Sequence, residues 1–415
     1  MYEDYMHKFI VDICAEIGSR ESGTKEEELA GNKIEDELKR FCDQTHQEDY
    51  ICSPTAFLGF IRYGSALIIV GIILYWLSLL IDLGIFQLDA IYSLVFITFA
   101  TGIAIFCDCY FIFEVMRYHE IVDFMFPKKR SKNIVGTINP TEAVNHTIIF
   151  SGHHDSAYEF NLFYYFKTFG AILIFIGYVG VLLFGIISFV KLIFWFLPLD
   201  LTQIFLVFGV IFICLIPIAV IYIFFHTYNP TLGAFDNLSA VSVILGIGKY
   251  LHDNRNNPEI YPKHTRVHLI SFASEESGLR GSKRYIRAHY NELKELKTVL
   301  INLDGIGVKD SIIVAKNELL IGAVHDKTIN ETLLKIAQDL NINAILGTLP
   351  FGATDAAAFS LKKLPATTIM AYEHKGQLPA YYHTRLDTPD VVDKEALGQA
   401  LQICLEYLKY MDKLE

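Results

Sequence analysis

The chain has 415 residues, of which 52% are hydrophobic and 20% charged, and its net charge is −11. Soluble domains average about 25% charge and about 45–50% apolar residues, so the apolar lean is modest and excludes disorder, collagen and a disulfide scaffold. A pI near 5.7 argues against nucleic acid as a partner, because phosphate binding needs a basic surface.

Met1 to Lys25 is charged and holds no apolar run of signal-peptide kind. The segment before Phe57 reads as helical. Thr24 followed by Glu27 makes a capping box, and Ala30, Ile34, Leu38 and Phe41 then recur at helix spacing. Glu26-Glu27-Glu28 reads as a solvated helix face. Gly64 to Ile81 and Ala90 to Cys107 are uncharged runs of 18 residues each. Asn133–Ile138 and Thr147–Ser151 read as strands. Two longer uncharged runs follow, Thr168 to Val190 with 23 residues and Leu201 to Phe225 with 25. Asn237–Leu251 reads as a buried helix, Val267–Ala273, Val299–Leu303 and Leu319–Val324 as strands, and Asn330–Leu340 as a helix. Pro365–Met370 is a late strand, and Asp393–Met411 is a closing amphipathic helix. Strands alternating with helices predict an α/β layered sheet, with its site at the carboxyl ends of strands.

About 20 apolar residues cross a bilayer as a helix. Phe57 to Ile61 lengthens the first run, with Arg62 free to snorkel. Asp82 to Asp89 links the first two runs, and Lys191 to Asp200, with Pro198, links the second two. The runs therefore pair into two transmembrane hairpins, each beginning and ending on one side. The expected organisation is 1–56, 111–166 and 227–415 as one soluble domain, interrupted by hairpins at 57–110 and 167–226. Arg117, Lys128, Lys129, Arg130 and Lys132 lie between the hairpins, while the far-side links hold Lys191 with Asp82, Asp89 and Asp200. That bias predicts a cytoplasmic soluble domain. Seven cysteines, an odd number without framework spacing, agree with a reducing compartment.

Five segments carry polar groups of chemical interest: Ser151-Gly152-His153-His154-Asp155, Gly233-Ala234-Phe235-Asp236-Asn237, Ser274-Glu275-Glu276-Ser277-Gly278, Asn302-Leu303-Asp304-Gly305, and Tyr382-His383-Thr384 with Asp387-Thr388. Singly they are ordinary: a surface His-x-Asp pair, a helix N-cap, two solvated glutamates. Together His153, Asp236, Glu276, Asp304 and His383 form an imidazole and carboxylate set of the kind zinc takes. Glu275 stands beside a ligand and suits a general base. Asp155, two residues after His153, suits a group that holds the imidazole from behind.

The order of these segments resembles the di-zinc aminopeptidases of metallopeptidase family 28, which share a fold with bacterial leucyl aminopeptidase and include relatives of glutamate carboxypeptidase. Ile17-Gly18-Ser19-Arg20-Glu21-Ser22-Gly23-Thr24 matches the family's IGPRxxGS; His153, Asp155 and Ser156 match H-x-D-S. Asp236, Asn237 and Ser239 match D-N-x-S-G, with Ala240 for the glycine. Glu275, Glu276, Gly278, Leu279, Gly281 and Ser282 match E-E-x-G-L-x-G-S; Asn302, Asp304 and Gly307 match N-x-D-x-[IG]-G; and His383, Thr384, Asp387 and Thr388 match H-T-x-x-D-T. The resemblance implies a mixed-sheet zinc exopeptidase fold. It also implies that His153 and Asp304 bind one zinc, Glu276 and His383 the other, and Asp236 bridges them. Glu275 is then the general base, Asp155 the group orienting His153, and Tyr382 the donor to the tetrahedral intermediate. Two departures stand out. Ala356 replaces the histidine of S-D-H-x-x-F in Thr354-Asp355-Ala356-Ala357-Ala358-Phe359, and Phe235 stands where an acid often precedes the bridging aspartate.

His153 and Asp236 flank the second hairpin and must reach one metal pair, so the chain between them crosses a membrane an even number of times. The expected activity is removal of N-terminal residues from peptides with a free amine by two zinc ions; the ligands also admit cobalt or manganese. Substrates near the bilayer are expected, since His153 lies 15 residues before Thr168 and Asp236 11 residues after Phe225. Three alternatives remain at this level: a glutaminyl-peptide cyclase with a single zinc, a non-catalytic membrane scaffold, and a transporter. The last lacks any charge inside its apolar runs.

Overall fold

The computed structural model describes residues 2–373 and 379–414. In chain order the first elements are α1 (Tyr2–Glu16), α2 (Lys25–Phe41), β1 (Gln44–Cys52), α3 (Ala56–Asp82), α4 (Ala90–Cys109), β2 (Lys129–Ile138), β3 (His146–His153) and β4 (Tyr158–Phe160). They are followed by α5 (Asn161–Phe166), α6 (Thr168–Phe194), α7 (Thr202–Ile223), β5 (His226–Pro230), α8 (Ser239–Asp253), β6 (Thr265–Phe272), α9 (Arg280–Glu295) and β7 (Val299–Ile306). The last are β8 (Ile312–Glu318), β9 (Ala323–Val324), α10 (Lys327–Asp339), β10 (Ala344–Leu349), α11 (Asp355–Leu361), β11 (Ala366–Ala371) and α12 (Lys394–Met411). The chain divides into two compact units, one of Met1–Pro54, Pro127–Glu159 and Tyr228–Glu415, the other of Thr55–Phe126 and Phe160–Thr227.

The first unit is built on a mixed sheet in the order β1-β2-β6-β3-β7-β11-β8-β10, with β9 against β8. Its centre is parallel: β6, β3, β7 and β11 run together, while β2 is antiparallel to β1 and β6, and β8 is antiparallel to β11. The reason is legible in the strands. Every residue of β3 and of β11 is buried, as a strand covered on both faces requires. One cover is a large apolar layer that includes Met6 and Phe9 of α1, Ile34 of α2, Ile244 of α8 and Leu401 of α12. The other cover brings Tyr285 and Ile286 of α9 and Phe359 of α11 against Ile149, Ile270 and Leu300. This is the mixed-sheet α/β architecture expected from the motifs.

Several element expectations need correction. The chain before Phe57 is not all helical. Gln44–Cys52 is an edge strand, polar and half exposed, and an edge strand needs no apolar face to pair. The expected strand at Leu319–Val324 is a turn followed by the two residues of β9; the sheet strand is the preceding Ile312–Glu318. The helical unit also reaches further than 57–110. The helix of the second run continues as a π-helical turn to Met116, and Val122 and Phe126 pack with Ala56, Phe60 and Tyr110 in that unit.

The second unit holds four helices long and apolar enough to cross a membrane: Ala56–Asp82, Ala90–Met116, Phe169–Phe194 and Thr202–Ile223. At 1.5 Å per residue the shortest is about 33 Å long, enough for a hydrocarbon core of about 30 Å. Ile68, Tyr75, Phe184 and Phe212 fill the space between these helices. Lys191 does not lie in a link, as expected, but in the last turn of α6, where it pairs with Asp82 of α3. Asp82 also accepts a bond from Ser93 of α4 at 2.6 Å. A polar clasp therefore joins both hairpins.

Candidate metal centre

The sheet delivers its polar groups from the carboxyl ends of parallel strands. His153 is the last residue of β3, Asp304 lies near the end of β7, and Glu275 and Glu276 follow β6. Asp236 and Asn237 precede α8, joined by a cis peptide. The structure brings together every residue singled out in the sequence. His153 Nε2 lies 3.2 Å from Asp236 Oδ1, and His383 Nε2 lies 3.0 Å from Asp236 Oδ2. The two oxygens of one buried carboxylate thus face two different imidazoles. Glu276 Oε1 is 3.2 Å from His383 Nε2, and Glu275 Oε2 is 3.7 Å from His153 Nε2. Among the described residues, His153, Asp236 and Glu276 form one group whose ligand atoms could share an ion, and His153, Glu275 and Asp304 form another. Tyr382 stacks on His383 at 4.0 Å between ring centroids.

The electrostatics of this cluster follow from crowding. Burial raises Glu275 and Asp304 well above the usual carboxylate range, and each is raised further by acidic neighbours. Burial raises Glu276 as well, against the pull of His383. Burial would lower the two imidazoles, but the surrounding carboxylates win: His153 is held well above its usual value and His383 at about 10. Burial would also raise Asp236, yet hydrogen bonds from His153 and His383 hold it below the usual range. Two imidazoles and several carboxylates that repel one another out of water are a donor set that divalent cations would neutralise, so the residues fit the zinc pair that the motifs imply.

The supporting shell is dense. Asp155 Oδ1 accepts from Glu275 N at 3.1 Å, and its Oδ2 accepts from Glu276 N at 3.1 Å and from Ser22 Oγ at 2.8 Å. Its Oδ1 also lies 3.4 Å from His153 Nδ1. One carboxylate therefore fixes His153 and both glutamates. Asp387 accepts from Phe235 N at 2.6 Å and from Asp236 N at 3.1 Å. Asn237 spans to β7, donating to Leu303 O and accepting from Gly305 N, both at 3.1 Å. His154, the adjacent histidine, turns instead to Ser271 Oγ at 2.9 Å, and burial pushes it down to about 4.

Five residues with roles here were not singled out by sequence reasoning. Arg20 is fully buried and donates to His154 O, Gly18 O, Leu232 O and Gly233 O. Asp387 and Ser22 were present in the motifs without a role. Glu27, read as part of a solvated face, is 2% exposed. Its carboxylate accepts from Gly23 N at 2.7 Å and Ser131 Oγ at 2.9 Å. The signal was its place three residues after the N-cap, which Thr24 fills by accepting from Glu27 N. Asp355 is also fully buried, its carboxyl pushed up to about 7 chiefly by burial.

Residues 220–408 match the model of Peptidase family M28. No curated protein matches. Among solved structures, a Zn-dependent exopeptidase from Parabacteroides distasonis is 17% identical with a TM-score of 0.54, covering 98% of this chain and 97% of its own. A zinc aminopeptidase from Bacillus subtilis is 13% identical with a TM-score of 0.55, covering 100% and 95%. The glutaminyl cyclase of Porphyromonas gingivalis is 13% identical with a TM-score of 0.56, covering 99% and 98%. The resemblance to family 28 read from the motifs thus holds: residues 220–408 match that peptidase family, and the chain has the fold of the zinc exopeptidases.

Proposed function

We propose that this chain is a membrane-anchored di-zinc aminopeptidase. The observation that carries the reading is the Asp236 carboxylate, whose two oxygens face His153 and His383 separately, as a bridging ligand must. His153 and Asp304 would hold one ion, Glu276 and His383 the other, with Asp236 between. Bound there, two zinc ions supply an acidified water and a polarised carbonyl. Glu275 takes the proton of the attacking water and returns it to the leaving amine. Its raised proton affinity suits the second half of that task. Asp155 holds the Glu275 backbone and the His153 ring in register. Tyr382, stacked against His383, would donate to the tetrahedral oxygen.

The decisive experiment is Glu275→Gln in the detergent-purified chain, assayed on free and N-blocked peptides. We expect full zinc content, a rate lower by about 10²–10⁴, and no cleavage of blocked peptides by the wild type. Unchanged turnover in the variant would sink the assignment. A second reading, cyclisation of N-terminal glutamine, is favoured by the cyclase of the same fold. It requires ammonia release without loss of a residue and one zinc per chain. The four apolar helices support two membrane hairpins, and the peptidase unit is assigned to the cytoplasmic face because the basic run at 128–132 lies between the hairpins in sequence while Lys191, near the far-side link, is paired with Asp82. Reporter fusions at the C-terminus check that orientation.

A further inference from the structure

We propose that Arg385 and Glu159 form a positioning pair for His383, so that occupancy of one zinc site depends on an ion pair outside the family motifs. The proposal rests on the di-zinc reading and extends it to residues the motifs leave variable. Arg385 occupies an unspecified position of H-T-x-x-D-T, and Glu159 is the last residue before the chain leaves the peptidase unit.

His383 needs external support. Its φ is +52°, a left-handed conformation that a non-glycine residue holds only when its surroundings impose it. Two residues on, Arg385 Nε donates to Glu159 Oε1 at 2.6 Å, Nη2 donates to Oε2 at 2.8 Å, and the Arg385 backbone N–H donates to Oε1 at 3.2 Å. The carboxylate thus grips both the fork and the main chain of the His383 loop. Geometry of this kind is stronger and more directional than a single contact. The Glu159 side chain is 3% exposed and that of Arg385 53%, so loss of the arginine leaves a buried carboxylate without its partner. Asp387 anchors the far end of the same loop to the Asp236 backbone. Glu159–Arg385 is the opposing anchor, and His383 sits beside both.

The test is zinc uptake by the full chain in detergent, read by chelator competition with the two sites resolved. Groups that orient a ligand cost about 10–100-fold in metal affinity when lost. Because this pair acts through the backbone, Arg385→Ala and Glu159→Gln are each expected to weaken one zinc about tenfold and spare the other. Arg385→Lys keeps the charge but not the fork, and should fall between. The double variant should lose no more than the worse single one, as for two halves of one interaction. Should Arg385→Ala fail to fold, Glu159→Gln and Arg385→Lys carry the same comparison. Equal weakening of both zincs, or unchanged affinities with only a lower melting temperature, would overturn the proposal. A wild type that binds two zincs but cleaves no peptide would sink the aminopeptidase reading and leave this test standing.

Discussion

Arg20 is the residue on which the geometry of both metal loops converges, and Arg20→Lys tests that directly. Its Nε donates to His154 O at 2.8 Å, beside one ligand; Nη1 reaches Gly18 O and Leu232 O, both at 2.7 Å; and Nη2 reaches Gly233 O at 3.0 Å, three residues before Asp236. The side chain is fully buried. A lysine keeps the charge but donates from one point, so it cannot serve carbonyls on both loops. At least two of the four bonds are lost. Hydrogen bonds to charged groups contribute about 1.5–3 kcal/mol each, and some are remade by the ammonium, so the net cost is about 3 kcal/mol. For a unit of this size that is a fall of about 6 °C in melting temperature. Since the loops of His153 and Asp236 move apart together, zinc should be lost from both sites rather than one. The assay is thermal unfolding in detergent with metal analysis of the purified variant. A lysine variant melting within about one degree of wild type with full zinc would refute the claim that the guanidinium holds the two loops.

Two further outcomes follow from the same network. Burial and the nearby Asp155 push the Glu27 carboxyl from its ordinary 4.5 up to about 8. A raised acid favours the protonated form in the fold, so its stabilisation is complete below pH 4.5 and is lost as pH rises through about 8. Glu27→Gln should therefore gain melting temperature relative to wild type between pH 5 and pH 8; a constant difference across that range would disprove the shift. Gly152 precedes His153, and a Cβ there would lie 2.7 Å from Ala240 Cβ and 3.3 Å from the Ala240 carbonyl carbon. Gly152→Ala should cost about 1–3 kcal/mol by overpacking, and Ala240→Gly in the same chain should recover most of it. Additive losses in the double variant would show that this contact is not the cause.

The parts of the fold legible in the sequence were those in which one face or both faces are apolar. β3, β7 and β11 announced themselves because burial on two sides demands apolar runs, and α12 because one face packs on the core. β1 did not, since an edge strand of Gln, Thr, His, Gln, Glu and Asp pairs through its backbone alone. β8 was displaced in the reading because its end is polar yet buried. Glu318, fully buried, accepts from Thr354 Oγ1 at 2.6 Å and Thr354 N at 3.0 Å, and its Oε1 lies 3.0 Å from His325 Nε2. Glu27 was misread for the same reason: among three consecutive glutamates only its place three residues after the N-cap marks the one that turns inward to Ser131. In the candidate metal centre, the clustered histidines and carboxylates were recoverable because a zinc site would restrict its chemistry to a few residue types. Groups that act through main-chain atoms, Arg20 and Arg385 above all, were not, because a backbone carbonyl or N–H leaves no trace in the residue that offers it.

The same backbone chemistry explains how the sheet unit tolerates two insertions. The first leaves after β1 and returns at β2, and these strands are antiparallel neighbours in register from Gln44 opposite Thr137 to Cys52 opposite Lys129. The insertion therefore occupies the position of a hairpin turn, whose ends are already adjacent. The second leaves after Glu159 and returns at Tyr228, and there too the stem is closed: β4 pairs with β5, and Thr231 N donates to Ala157 O at 2.8 Å. Closing a long loop costs only slightly more than closing a short one, so an apolar insertion with paired ends adds little strain to the unit it interrupts. What such an insertion does require is that ligands on either side of it remain registered. Arg20 meets that requirement by holding His154 O on one side and Leu232 O and Gly233 O on the other. Glu159 and Asp387 meet it again through the His383 loop. These buried charges thus bind the two sides of the second insertion to one cluster of histidines and carboxylates, which is a reason for each to be polar where the sheet below them is apolar.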